Sequence, residues 1–331
     1  MQVVLNAKEF KSMFSTLRPI LRNAADGGLL GFSVSQHVLS VTCRNGVIFE
    51  QKFACEQDGP MFVTVLYRDI SDLLPGTGEV YVDLSEKLVH IKADGFTTTL
   101  LSAYGQVSPY RKRVQNYKQC DAKDYLRLAR AFQELNAVAK TLKRDAPVLL
   151  VPPRAICKYP TVWLEVAYRG ISTSLGMKDL RTIANFEPKL YGVAEDAIEF
   201  LNGSALLAYP LNKVGECKTC KDILVNPSEP KPLHVLESVE NIQAMTRVVR
   251  GPCKVSFYTD GYVVSYKNNE VEMSVSAGPC TGSYLYTLDT YTEYLMMIFH
   301  LIGESRAQLV VGSNAVMLEV PGKLRLLHSV I

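Results

Sequence analysis

The residues in this sequence with the chemistry to hold a metal or turn over a substrate are few and dispersed. Cys217 and Cys220 form one CxxC, in GECKTCKDI. That pair supplies two thiolates, whereas a closed structural zinc site takes four ligands. Neither a second CxxC nor an HxxxH accompanies it, and His234 is the nearest histidine in sequence. Two reduced thiols in a linker is the plainer reading; a metal or redox pair is the alternative. His37, His90, His300 and His328 fall in strand and helix patterns with no carboxylate or cysteine at catalytic spacing. Gly76-x-Gly78 follows a helix and precedes a strand, the reverse of a dinucleotide fingerprint, so it reads as a turn. Asp69 and Asp72 cap or solvate a short helix, and Trp163 in TVWLEVAY alternates like a core strand residue. GxxxxGK[ST], GxSxG and HExxH are all missing. The expectation is a protein without catalytic residues, cofactor or metal. An enzyme whose site is assembled from scattered residues stays as an alternative.

Composition sets outer bounds. Of 331 residues 47% are apolar, enough for a sizeable core, and the length argues for two or three domains. The net charge of +3 decides nothing about nucleic acid; segregation of the charges does. No apolar run approaches the roughly 20 residues needed to span a bilayer. The opening MQVVLNAKEF resembles no secretory leader, so the eight cysteines are expected to be reduced thiols of a cytoplasmic protein.

The elements that position these residues recur. MQVVLN reads as a strand and AKEFKSMFSTLRPILRNA as an amphipathic helix, with Phe10, Phe14, Leu17 and Leu21 at helical spacing. LLGFSVSQ, VLSVTCRN and GVIFEQKF follow as strands, the last two joined by an Asn45-Gly46 turn. The order then repeats: MFVTV, the short helix YRDISDLL, and the strands EVYVDLS, KLVHIKA and FTTTLLS. In the middle, YKQC and the helix AKDYLRLARAFQELNAVAKTL precede VLLVP, AICKY and TVWLEVAY. GISTSL and the helix MKDLRTIANF precede KLYGVAE, AIEFLN and SALLAYPL. Pro152 and Pro153 imply a strand end or an edge there. The last stretch reads PLHVL, the helix ESVENIQAMTRVVR, then CKVSFYT, YVVSYKN and EVEMSVS. SYLYTL, a helix from Asp289 to Ile302, AQLVVGS, AVMLEV and KLRLLHSV complete it. Strand, helix and three strands, twice per copy and three copies, give an α+β chain with expected domains at 1–109, 110–232 (with a C-terminal linker) and 233–331.

Positive charge segregates onto the helices. At 100° per residue Lys11, Arg18 and Arg22 lie within about 40° of one another, opposite the apolar stripe. Lys123, Arg127 and Arg130 share a face interrupted by Glu134, and Arg247 and Arg250 lie near Gln243. Arg68, Lys178 and Arg181 come from the shorter helices. A row of this kind is either a solvated helix face or a surface for a phosphate backbone.

The threefold repeat resembles the DNA sliding clamps, polymerase processivity factors of bacterial three-domain type. The closest local likeness is MFVTVLYRDISDLLPGTGEVYVDLSEKLVHIKADGFTTTLLSA. The chain is compact for that type, a length that a phage-borne version would fit. The resemblance implies helices lining a hole, sheets facing outward, and two copies closing a six-domain ring around double-stranded DNA. It implies the basic residues named above as DNA-facing. DNA polymerase and a clamp loader are the implied partners, with no membrane involved. Client peptides would dock near the chain's last residues, where Leu324, Leu326, Leu327, Val330 and Ile331 are candidates; their alternation equally suits an ordinary last strand. A protein of the same fold that binds DNA without closing a ring is the second reading.

Overall fold

The computed structural model describes residues 1–21, 28–70, 77–103, 105–139, 147–158, 162–212, 234–236, 252–258, 261–267, 272–278, 280–282, 286–291, 308–311, 315–320 and 322–329. Its first two elements show how the pattern becomes structure. In β1 (Gln2–Asn6) Val3 and Leu5 are buried and their neighbours exposed, the period-two alternation of a half-buried strand. Asn6 then caps α1 (Ala7–Leu21): its Oδ1 accepts the backbone N–H of Lys8 at 2.8 Å and of Glu9 at 3.4 Å. Phe10, Met13, Phe14, Leu17 and Leu21 are buried, and Phe10 meets Phe14 edge to face at 4.9 Å between centroids. Each such side chain stabilises the fold by roughly 1.5–3 kcal/mol. Lys8, Lys11, Ser15 and Arg18 occupy the exposed side.

The strands β2 (Leu29–Ser35), β3 (Val38–Arg44) and β4 (Ile48–Ala54) follow, then β5 (Met61–Leu66) and a single 3-10 turn at Tyr67–Asp69. That turn stands at the start of the short helix expected over 67–74; residues 71–76 lie outside the described set. Next come β6 (Glu79–Leu84), β7 (Leu88–Ala93) and β8 (Phe96–Leu101). The middle of the chain supplies β9 (Lys118–Gln119), α2 (Ala122–Ala139), β10 (Val148–Val151), β11 (Arg154–Lys158) and β12 (Val162–Ala167). Then follow β13 (Thr173–Leu175), α3 (Met177–Phe186), β14 (Leu190–Val193), β15 (Ala197–Asn202) and β16 (Ala205–Pro210). The rest contains β17 (His234–Leu236), β18 (Pro252–Phe257), β19 (Tyr262–Lys267), β20 (Glu272–Gly278), β21 (Cys280–Gly282) and β22 (Tyr286–Tyr291). It ends in β23 (Gln308–Val311), β24 (Ala315–Val320) and β25 (Leu324–Ser329).

Pairing follows one rule. The leading strand of each strand-helix-strands run hydrogen-bonds to the three-strand group of the other run. Thus β1 joins β6-β7-β8 while β5 joins β2-β3-β4. Likewise β9 joins β14-β15-β16 while β13 joins β10-β11-β12, and β17 joins β23-β24-β25 while β22 joins β18-β19-β20. Two further ladders fuse neighbouring groups. β4 pairs with β16 from Ile48↔Ala208 to Gln51↔Ala205, and β12 pairs with β25 from Val162↔His328 to Val166↔Leu324.

These fused sheets divide the chain into two compact units: residues 1–126 with 178–211, and 127–177 with 212–331. The first contains the ladder of β4 with β16 and the second that of β12 with β25, so the expected middle domain contributes to both.

One local expectation shifts. Asp289, Thr290 and Tyr291 belong to β22, paired with Lys254, Cys253 and Pro252, where a helix was expected to begin. Thr290 and Tyr291 are strand-favouring residues, and sheet pairing extends over the positions read as the start of a helix. Residues 292–302 of that expected helix, and the expected helix over 237–250, lie outside the described residues. Pro152 and Pro153, joined by a cis peptide, form the tight turn between β10 and β11, so both prolines leave the ladder without costing it a donor. Trp163 is 3% exposed and packs with Leu149, Ile156, Val310, Met317 and Leu327, the core role its alternation implies.

Candidate nucleic-acid interface

The apolar stripe of each helix fixes what its opposite side presents. On α2, Tyr125, Leu128 and Phe132 are buried, the Tyr125 ring meeting Phe200 edge to face at 5.5 Å. Lys123, Arg127 and Arg130, spaced four and three apart, are therefore driven to one exposed face. On α3, burial of Leu180, Ile183, Ala184 and Phe186 leaves Lys178 and Arg181 exposed. Lys11 and Arg18 hold the same position on α1.

These cations differ in commitment. Among the described residues Lys11, Arg18, Lys123, Arg130 and Lys178 form no ion pair, so their charge is open to an outside anion. The Arg127 guanidinium donates to the Ala167 carbonyl at 2.7 Å, which fixes its direction. Arg68 pairs with its neighbour Asp69 at 3.4 Å, with 70% of its side chain exposed. Arg22, Arg247 and Arg250 lie outside the described residues. Exposed cations on α-helical ridges attract phosphates through a high-dielectric medium, each weakly and with strong sensitivity to salt. Such a surface binds a polyanion without reading its sequence.

The candidate client-peptide residues lie in a different setting. Leu326 and Leu327 are buried in β25, which is paired on both edges, by β12 and by β24. Leu324 is half-buried; Val330 and Ile331 lie outside the described residues. Cys217 and Cys220 lie outside them too. Among the described residues no group of three or more histidine, cysteine or acidic side chains gathers to hold a metal. Cys43 and Cys157 are buried free thiols, pushed up to about 12 by desolvation.

A buried polar cluster escaped the sequence reading. Glu199 on β15 is fully buried and accepts hydrogen bonds from the Tyr110 hydroxyl at 3.0 Å, the Arg113 N–H at 2.7 Å and the Tyr117 hydroxyl. Glu50 on β4 is also buried and accepts the Tyr110 N–H at 3.2 Å. The connecting segment 107–117 is thus fastened across the β4–β16 ladder by carboxylates from both sides. Burial, and then the Glu199 carboxylate, raise both tyrosine hydroxyls above the ordinary range. The one available signal was a lone acid inside an otherwise apolar strand, as in AIEFLN.

The chain matches no protein-family model and no curated protein sequence. Solved structures do match over the full length. They include the DNA polymerase III subunit beta from Pseudomonas aeruginosa, with TM-score 0.76, 11% identity, and 100% of both chains covered. A putative DNA polymerase III beta subunit from Eubacterium rectale superposes with TM-score 0.77 at 11% identity, covering 100% of this chain and 99% of that one. The Helicobacter pylori beta clamp bound to a DNA ligase peptide gives TM-score 0.74 at 12% identity, with 100% of both covered. The chain has the α+β fold of the bacterial beta clamps. No helix among the described residues is long and apolar enough to cross a membrane.

Proposed function

We propose that this chain is a non-catalytic sliding clamp: three domains, 1–109, 110–232 and 233–331, two copies of which close a six-domain ring around duplex DNA in the cytoplasm. The observation that carries the reading is the fate of the last strand in each three-strand group. There are six such strands in the pairing rule, and four are consumed by the β4–β16 and β12–β25 ladders. The remaining two, β8 and β20, are edge strands among the described residues, one from the first and one from the last expected domain. The same joint made a third time would link β8 of one copy to β20 of a second, and a two-fold pair makes it twice and closes. Leu101 at the end of β8 is 74% exposed, an apolar side chain suited to burial in that joint.

In this reading Lys11, Arg18, Arg22, Arg68, Lys123, Arg127, Arg130, Lys178, Arg181, Arg247 and Arg250 meet the phosphate backbone. Their weak, sequence-blind contacts let the ring slide, while topological linkage replaces tight binding. Replicative DNA polymerase and a clamp loader are the protein partners. The groove for them includes Leu324, Val330 and Ile331, with Leu326 and Leu327 as its packed base.

Retention on DNA tests the ring. Protein loaded onto nicked circular duplex is expected to survive a high-salt gel-filtration step and to be lost when the circle is linearised. Equal loss from both substrates would leave an open DNA-binding factor of the same fold as the better description.

A further inference from the structure

The ladder of β4 with β16 borders a cavity that the DNA-binding faces do not use. It measures about 360 Å³, within the ~300–1,000 Å³ range of small-ligand sites. Its walls are apolar: Ile48, Ala197, Ala208 and the ring of Tyr110. Its rim is charged, carrying Arg44 from the end of β3, with Arg113 and Asp196. Tyr110 is a fixed wall, because its hydroxyl donates to buried Glu199 and its N–H to buried Glu50. Gly46 stands at the mouth in the left-handed region, φ +69°, with nothing within 4 Å of the place where a Cβ would stand.

The charges select the ligand. Arg113 is committed to Asp196 in an exposed ion pair that holds the Asp196 carboxyl below its usual range, and its guanidinium lies 6.0 Å from the Tyr110 ring centroid. Arg44 is exposed and makes no ion pair among the described residues. On the rim itself two guanidiniums face one carboxylate, a single net positive charge beside an apolar hollow, with Glu50 and Glu199 buried behind the Tyr110 wall. A phosphate dianion would overbalance that rim, and a neutral hydrocarbon would leave it unanswered.

We propose that this cavity binds an apolar monocarboxylate, its hydrocarbon or aromatic body against Ile48, Ala208 and Tyr110 and its carboxylate on Arg44. Such a group can belong to a free small acid or to the C-terminus of a peptide ending in an apolar residue. Binding here involves none of the basic helix faces, so its failure and the failure of the clamp reading are separate results.

The test uses the full chain and four probes in titration calorimetry: 3-phenylpropanoate, its amide, and acetyl-Gly-Gly-Phe with a free or an amidated C-terminus. The acid forms are expected to bind at least about tenfold more tightly than the amides, the scale of one charge-assisted hydrogen bond. Arg44→Gln should abolish that preference, and Asp196→Asn, which releases Arg113, should tighten acid binding. Both substitutions fall on exposed side chains, so the fold is retained. Binding of the peptide acid alone identifies a peptide C-terminus as the source; binding of both acids identifies the small-acid chemistry as sufficient. Equal affinity for acids and amides, no binding by any probe, or acid binding unaltered in Arg44→Gln would each overturn the proposal.

Discussion

Tyr110 and Tyr117 show how one buried carboxylate ties a connecting segment to a sheet, and their hydroxyls give that tie a pH signature. Both donate to Glu199, and both are raised above the ordinary tyrosine value of about 10 by burial and by that carboxylate. A group whose folded-state value is raised contributes stability that is whole below its unfolded value and is lost as pH climbs toward the folded one. The Tyr110→Phe/Tyr117→Phe double variant is therefore expected to be destabilised by on the order of 2 kcal/mol at neutral pH, since Glu199 loses two donors. The gap between wild type and variant should hold steady up to about pH 10 and shrink above it. Buried Cys43 and Cys157, raised to about 12, weaken both proteins alike in that range, so the difference isolates the tyrosines. Urea denaturation from pH 7 to 11 measures it; a gap that widens above pH 10 would refute the assigned protonation. This cluster was hidden in the sequence because its members run from Glu50 to Glu199 and are brought together only through the β4–β16 ladder. Lys11, Arg18, Lys123, Arg130 and Lys178 were legible, because helical spacing alone decides which side of an amphipathic helix meets water.

Strands were legible as elements and illegible as neighbours. Alternation in QVVLN or YVVSYK marks a half-buried strand, yet no local signal says that β1 pairs with β6 and β5 with β2. The same nonlocality turned Asp289–Tyr291 into strand and placed Leu326 and Leu327 between two paired neighbours. Edge strands carry the consequence for assembly. Exposed apolar edges invite another chain, and β8 ends in Leu101 with nearly three-quarters of its surface in water. Introducing a charge there, as Leu101→Lys, should leave the monomer folded, since most of the side chain already stands in water. The wild type is expected to travel as a dimer in light scattering coupled to gel filtration, and the variant to shift at least tenfold toward monomer. The factor follows from burying two copies of one leucine at about 1.5–3 kcal/mol each. A dimer unmoved by Leu101→Lys would assign self-association to another edge.

At the scale of the whole molecule, a net charge of +3 gives no hint of a polyanion partner; the distribution does. Exposed lysines and arginines sit opposite the apolar stripes of α1, α2 and α3, while most of the 33 acidic residues lie elsewhere in the chain. If the helices act together on one duplex, their contribution is counterion release, and binding must weaken linearly in the logarithm of salt. Removing a phosphate contact lowers the magnitude of that slope by roughly one. Replacing Arg18, Arg22, Arg127 and Arg130 together with glutamine is thus expected to flatten the slope by up to about four per copy, with affinity at low salt falling on every sequence alike. Fluorescence anisotropy on two unrelated duplexes between 50 and 200 mM salt, a span on the order of one used to define such slopes, reads both quantities. A loss confined to one sequence would mean base recognition and would contradict sliding. An unchanged slope would mean that these faces are solvated and that the duplex, if bound at all, is held by some other part of the surface.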